Sequence, residues 1–322
     1  MAELPFRRLL VTGGAGFIGT HLVERLAGQA EVVLFDNLRR NSLAYVPHLA
    51  EHPGVRVLAG DVLDPEAVDA ALEGVDAVVH LAAIAGVSSY YQEPLRTLQV
   101  NLLGTVSLLE RCAARGVGHF VHVSTSEIFG ADALWVDEDA NVSIGPLADS
   151  RWVYAISKLS SEQMVMHYAA KHGFRHTILR PFNVYGPRQT GEGAISNFLT
   201  ALVEDRPLTV YNDGSPIRAW CYVSDFVDAT VAALTVPAAA GEAFNIGNAR
   251  EVETTLGLAR RVAALREGGR IEFEVKERRE VRSRVPVIGK ARRLLGFEPR
   301  VDLDEGLRST LDWFTSTRAG AS

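Results

Sequence analysis

The chain has 322 residues, 47% of them hydrophobic and 22% charged, with a net charge of -6 and two cysteines. That length and apolar content allow one large α/β unit or two tightly packed ones. Cys112 and Cys221 neither staple a fold nor build a metal cluster, the apolar runs are too short and broken for a membrane span, and the acidic balance argues against nucleic acid as a general partner.

The opening residues Met1 to Arg8 run into the first apolar segment without a signal-peptide pattern, so a cytoplasmic protein with reduced thiols is expected. Leu9-Leu10-Val11 reads as a strand, and Thr12-Gly13-Gly14-Ala15-Gly16-Phe17-Ile18-Gly19 leads from it into a helical pattern with Leu22, Val23 and Leu26. Gly14, Gly16 and Gly19 have the G-x-G-x-x-G spacing that lets a backbone turn tightly, approach a pyrophosphate and pack helix on strand. A second strand, 31–36, ends in Asp36, about 20 residues on, where a carboxylate meets adenosine ribose hydroxyls. NAD is therefore expected over NADP, although Arg39 and Arg40 could pair with a 2′-phosphate.

Further strands fall near 55–59, 75–81 and 119–124, with helical patterns between them, so the fold expected is α/β, a doubly wound parallel sheet. Leu95 to Arg115 and Val153 to Ala170 are two long amphipathic stretches, suited to a dimer face or to burial within one chain. Beyond Arg180 the pattern loosens, with loop signals at Gly186-Pro187, Gly191 and Gly193 and a surface turn at 237–241. The expected division is a dinucleotide-binding unit at 1–180 and a smaller substrate lobe at 181–322, interleaved because 217–236 and 242–247 read as a strand-helix and a strand returning to the large sheet. A basic run between Arg278 and Arg293 suits either a solvated face or a nucleotide diphosphate.

Tyr154 and Lys158 stand four residues apart, one above the other on a helix face. A nearby cation lowers a phenol pKa and an oxidised nicotinamide would lower it further, so Tyr154 is expected to take a hydroxyl proton near neutral pH while hydride leaves the same carbon. Ser124-Thr125-Ser126 sits at a strand end about thirty residues before them, followed by Glu127.

Over nearly its whole length the chain resembles the extended short-chain dehydrogenase/reductases that remodel nucleotide sugars. The resemblance rests on the glycine loop, Asp61-Val62, His80-Leu81-Ala82-Ala83, Asn101, Ser124-Thr125-Ser126, Tyr154/Lys158, 180–188, 218–225, Asn245-Ile246-Gly247-Asn248 and 295–299. It implies a Rossmann fold, a homodimer and tightly held NAD. The glycine-loop contacts would be Gly13, Gly16, Phe17, Ile18 and Gly19; Asp36 and Asn37 would meet the ribose and Asp61 and Val62 the adenine. Leu81, Ala82, Ala83 and Asn101 would lie beside the cofactor with Tyr154 and Lys158.

Within that family, simple 4-epimerases usually carry a small or apolar residue where this chain has Glu127, whereas members acting at C5 carry Glu. Ser126 departs from the Asp of deoxythymidine-diphosphate-sugar 4,6-dehydratases, and 180–187 departs from the GDP-mannose dehydratases. Residues 145–154 look most like UDP-glucuronate decarboxylases, as does Arg284-Val285-Pro286-Val287-Ile288, although Val285 stands where Lys is usual. The activity implied is NAD-dependent decarboxylation of UDP-glucuronic acid through a 4-keto intermediate to UDP-xylose or the 4-keto pentose. Catalysis would use Thr125, Ser126, Glu127, Tyr154, Lys158 and Arg284, with Arg282 a lesser candidate for the arginine. Asn183, Arg188, Arg218 and Arg284 would hold the UDP-sugar. The other readings are a 4-epimerase, a 4,6-dehydratase and a non-catalytic NAD or nucleotide-sugar sensor.

Overall fold

The computed structural model describes residues 4–275, 277 and 281–319. Arg278 and Arg279, in the basic run, lie outside the described residues. Seven parallel strands form the large sheet: β1 (Arg8–Thr12), β2 (Glu31–Asp36), β3 (Val55–Ala59), β4 (Ala77–His80), β5 (His119–Val123), Arg175–Pro181 and Glu242–Ile246. Their order is Glu242–Ile246, Arg175–Pro181, β5, β4, β1, β2, β3. The order turns back after β1, between β1 and β4, and that switch point is where ligands bind in open sheets of this kind.

Period-2 alternation explains the two faces. Leu9 and Val11 of β1 pack into an apolar cluster with Leu22, Val23, Leu26, Phe226 and Phe244. Leu10 points the other way, toward Val33, Phe35, Leu108, Leu109 and Val165. Each such side chain contributes about 1.5–3 kcal/mol on full burial, so helices must cover both faces.

The helix Val153–His172 buries Tyr154, Ala155, Ser157, Lys158, Ser161, Glu162, Val165 and Ala169 along one stripe, and Gly173 ends it at φ 77°. A stripe so polar is held by specific bonds: Ser161 Oγ donates to Ser157 O and to Asn101 O, both at 2.8 Å, and Glu162 takes Arg180 in a two-pronged pair at 3.0 and 2.8 Å. The neighbouring segment is helical from Pro94 to Leu98, widens into a π turn at Gln99–Leu103 and continues helically from Gly104 to Arg115.

The remaining strands build the smaller lobe. Val252–Thr254, Ile217–Ala219, Ser283–Pro286 and Asp132–Val136 form a four-stranded sheet in that order. The expectation for 217–236 therefore needs correction: its helix, Val223–Thr235, does pack on the large sheet, but Ile217–Ala219 pairs in the lobe, with Thr254 and Ser283 opposite Ile217. Asp132–Val136, a strand that the sequence pattern did not suggest, carries the chain out of the sheet end at β5 and onto Ser283–Pro286.

Candidate active site

The C-terminal ends of β1 to β5 open on one cavity of about 620 Å³. At the end of β1, Gly13 adopts φ 71° and donates its N–H to Phe35 O at 2.8 Å. A Cβ at Gly19 would stand 2.3 Å from the Gly13 carbonyl oxygen, so only glycine lets the helix Phe17–Leu26 sit this close to the turn. Gly16 caps that helix without any side-chain partner, and Gly16, Phe17, Ile18 and Gly19 line the cavity. First-turn N–H groups free of a side-chain cap fit a pyrophosphate.

Asp36, Asn37, Asp61, Val62, Leu81, Ala82 and Ala83 line the same cavity. Asp36 Oδ2 accepts from Ala15 N at 3.1 Å and Oδ1 from Leu38 N at 2.7 Å, while burial raises its pKa above the ordinary value. Asp61 pairs with Arg96 at 2.6 Å. Arg39 is engaged by Glu93 and Arg40 reaches Ser89 Oγ at 3.4 Å, so both guanidiniums already have partners on the next loop. Carboxylate at Asp36, helix amides and the strand-end rim together suit a dinucleotide.

Asn101 does not line the cavity. It is fully buried in the π turn, where its side chain accepts from Ile84 N at 2.8 Å and donates to Ile84 O and Ser157 Oγ, both at 3.1 Å. It ties the loop after β4 to the Tyr154 helix.

Thr125, Ser126, Glu127 and Tyr154 share the cavity wall. The Thr125 hydroxyl hydrogen-bonds the Tyr154 phenol and accepts Glu127 N–H at 3.1 Å. The depressed phenol pKa expected from Lys158 is not found in the chain alone: burial raises the Tyr154 pKa, the Glu127 carboxylate raises it further, and Thr125 and Arg40 offset this only in part. Lys158 is itself pushed down to about 7 by burial, against the pull of Glu162. Desolvation outweighs the helical spacing of the two groups.

A stability prediction follows from the lowered Lys158. With a folded pKa of about 7 against an ordinary 10.5, the unfolded chain binds more protons between those values, and stability rises with pH across that window. Lys158→Met is expected to raise the thermal midpoint by about 2–4 °C at pH 7, while turnover is lost. Melting curves from pH 7 to 10 should show the difference from wild type shrinking; a constant gap would mean that Lys158 stays fully charged in the fold.

Glu127 is held by two arginines. Arg151 Nη2 donates to Glu127 Oε2 at 2.6 Å, and Arg284 Nη2 lies 3.3 Å from the same oxygen. Burial raises the Glu127 pKa, but Arg284, Arg151 and the more distant Arg218 outweigh it and hold the carboxyl below its ordinary value. Arg284 is 1% exposed and donates to Gly130 O at 2.5 Å. It stands behind Glu127 rather than on the cavity wall, because Ser283–Pro286 is an inner strand of the lobe sheet.

The predicted sugar-nucleotide contacts divide. Asn183 lines the cavity and donates to Ala219 O at 2.9 Å. Arg188 does not: the backbone turns there at φ 67° and its guanidinium pairs with Glu24 of the first helix at 2.6 Å. Arg218 lies opposite Arg284 in the lobe sheet and donates to Ile217 O and Val281 O. Arg282 is on the surface, paired with Asp132.

Two residues at the site escaped the sequence reading. Tyr90 is buried and stacks on Tyr154 with ring centroids 5.1 Å apart and planes within 3°. Arg151 lies 5.7 Å from the Tyr90 ring centre. Arg151 stood beside Trp152 in a segment already singled out, but nothing local marks Tyr90, whose role depends on the loop folding over the helix.

Fold and site together define a Rossmann-type oxidoreductase-like centre with a Thr-Tyr-Lys set and a glutamate at its edge. The chain belongs to the NAD dependent epimerase/dehydratase family, whose model matches residues 9–247. It is 33% identical over 319 residues to a UDP-N-acetyl-alpha-D-glucosaminuronate decarboxylase of Bacillus cytotoxicus, covering 96% of this chain and 98% of that protein. It is 34% identical to UDP-glucuronic acid decarboxylase 1 of Arabidopsis thaliana, covering 93% and 68%. Among solved structures it is similar to UDP-glucuronic acid 4-epimerase from Bacillus cereus in complex with UDP-glucuronic acid and NAD, at TM-score 0.88 and 30% identity, covering 96% and 99%.

Proposed function

We propose that the protein is an NAD-dependent UDP-glucuronate decarboxylase that oxidises C4 of the sugar, loses CO2 from C5 and forms a UDP-pentose. The observation that carries the reading is Glu127, a carboxylate held by Arg151 and Arg284 at the cavity wall one residue from Ser126 and two from the Thr125 that bonds Tyr154. A 4-epimerase has no use for an acid beside C5. The decarboxylase relatives support the same activity.

Bound NAD supplies the acceptor for the C4 hydride and the positive charge that the Tyr154 phenolate lacks in the chain alone. Tyr154 takes the proton of the C4 hydroxyl, with Thr125 bonding the same oxygen. Loss of CO2 from the β-keto acid then leaves its electrons on the C4 oxygen, which Thr125 and Tyr154 hold as it gains charge. Glu127 is anionic before substrate arrives. The incoming sugar carboxylate is a like charge and raises its pKa, so Glu127 takes up the solvent proton that it delivers, with Ser126, to C5. Arg284 acts through Glu127 as a positioning residue, and Asn183 borders the sugar.

The second reading, a UDP-glucuronate 4-epimerase, is favoured by the likeness to the Bacillus cereus epimerase. Incubation of the purified chain with UDP-glucuronate separates the two: CO2 and a UDP-pentose are expected, whereas a UDP-hexuronate without gas would establish the epimerase. The proposal places the protein in the cytoplasm, consistent with two buried free cysteines; among the described residues no helix is long and apolar enough to cross a membrane. It also includes a homodimer, for which Leu95 and Leu103, 67% and 54% exposed on the segment beside the Tyr154 helix, offer an apolar face.

A further inference from the structure

Between the large sheet and the helix Val153–His172 lies a layer of buried polar groups. By strand alternation Phe120, His122 and, just past the end of β5, Ser124 face this helix, and Phe120 shares the apolar cluster of Val165. The His80 ring of β4 lies 5.6 Å from the His122 ring. Both nitrogens of His80 are engaged: Nδ1 meets Thr12 Oγ1 at 2.7 Å and Nε2 meets Thr105 Oγ1 at 2.9 Å. Thr105 donates its own proton to Asn101 O at 2.6 Å, so it accepts from His80 Nε2–H, and Thr12 donates to Nδ1. Ser157 donates to Tyr154 O at 2.7 Å, Ser161 donates to Asn101 O at 2.8 Å, and Glu162 is taken by Arg180. His122, Ser124 and Lys158 are what remain of the layer. His122 is 0% exposed and Ser124 1%, and among the described residues no protein group bonds either ring nitrogen of His122 or the Ser124 hydroxyl. Buried polar groups left dry are costly, and ordered water settles where about two to four of them converge.

We propose that an ordered water joins His122 and Ser124 to the Lys158 ammonium, which makes His122 a positioning residue that supports the charge and aim of the lysine from the side away from the cavity. The proposal rests on the redox step at C4, which the decarboxylase and epimerase readings share. His122 does not line the cavity. The titratable and charged groups on the elements packed around it are His80 of β4, Tyr154, Lys158 and Glu162 of the helix, Cys112 of Gly104–Arg115, and Arg180 with His176 further down the strand Arg175–Pro181. Burial, then Lys158 and His80, keeps His122 neutral, with its pKa well below the ordinary value. A neutral imidazole has one lone pair to offer, and a water that donates to it turns its own oxygen to the ammonium. That bond favours the charged lysine, against the burial that pushes Lys158 down to about 7. His80, with both nitrogens taken, cannot replace it.

The test is the titration of Lys158, followed by NMR of ε-carbon-labelled lysine and assigned as the signal that Lys158→Met removes. His122→Phe keeps an aromatic ring beside Phe120 and His80 but offers no lone pair, and should lower the Lys158 midpoint by about one pH unit. Its turnover relative to wild type should then depend on pH: no deficit at the acid end, where the lysine is charged in both, and about a tenfold deficit in kcat at the alkaline end, with KM for the sugar nucleotide held. Ser124→Ala should move the midpoint the same way by less. A crystal structure should show a water within hydrogen-bond distance of His122, Ser124 and Lys158. A His122→Phe variant that is folded by circular dichroism but has an unmoved midpoint, or loses the same rate at every pH, would reduce His122 to packing and overturn the proposal, as would a dry site. Should His122→Phe fail to fold, Ser124→Ala decides by the same midpoint. A wild type that makes no CO2 would overturn the decarboxylase reading alone, because the lysine titration is read in the chain without sugar.

Discussion

Tyr154→Phe is expected to lower turnover of UDP-glucuronate by about 10²–10⁴-fold, the usual contribution of a positioned acid-base group, with little change in fold. The Phe ring keeps the parallel stack on the buried Tyr90 and loses only a hydroxyl on the cavity wall, so circular dichroism and melting should match wild type. What is lost is the oxygen that accepts the C4 hydroxyl proton, and with it the start of the reaction: CO2 and pentose should fall together. Burial raises the pKa of the phenol in the chain alone, and the charge of bound NAD would lower it again. Because the phenolate is the active form, the wild-type rate of C4 oxidation should climb as pH rises, and the Phe variant should lose that slope. A Phe variant with wild-type CO2 release would remove Tyr154 from the chemistry.

Glu127→Gln should be comparably damaging, by about 10²–10⁴-fold in pentose formation, for a different reason. The amide keeps the shape but can neither neutralise Arg151 and Arg284 nor carry a proton to C5. Leaving two buried guanidiniums without their anion also costs about 3 kcal/mol of stability, which denaturant unfolding would register. In D2O the wild type should place one deuterium at the pentose C5 with a single stereochemistry, whereas the small amount formed by the Gln variant should be stereochemically mixed. Wild-type rate and a single stereoisomer from Glu127→Gln would leave the carboxylate with only a structural task.

Much of this site was legible in the sequence because its parts are local. The Gly13–Gly19 turn, Asp36 at the end of the next strand, and the Tyr154/Lys158 pair are spacings that one strand, one turn or one helix determines. Strand and helix alternation likewise determined the parallel sheet through β5, since each period is read within a few residues.

Tertiary structure decided whatever depends on residues far apart in the chain. It carried Asp132–Val136 out to the lobe and brought Arg284 behind Glu127, where Arg151 meets the same oxygen. It turned Arg188 toward Glu24 and engaged Asn101 in holding Ile84 and Ser157. It also set the Tyr154 shift of the chain alone: helical spacing sets how near Lys158 can come, but without the nicotinamide charge, burial, a property of everything packed around the phenol, is the larger effect. Local geometry is encoded in neighbouring residues; charge pairing and desolvation exist only once the chain has closed its long loops and excluded water.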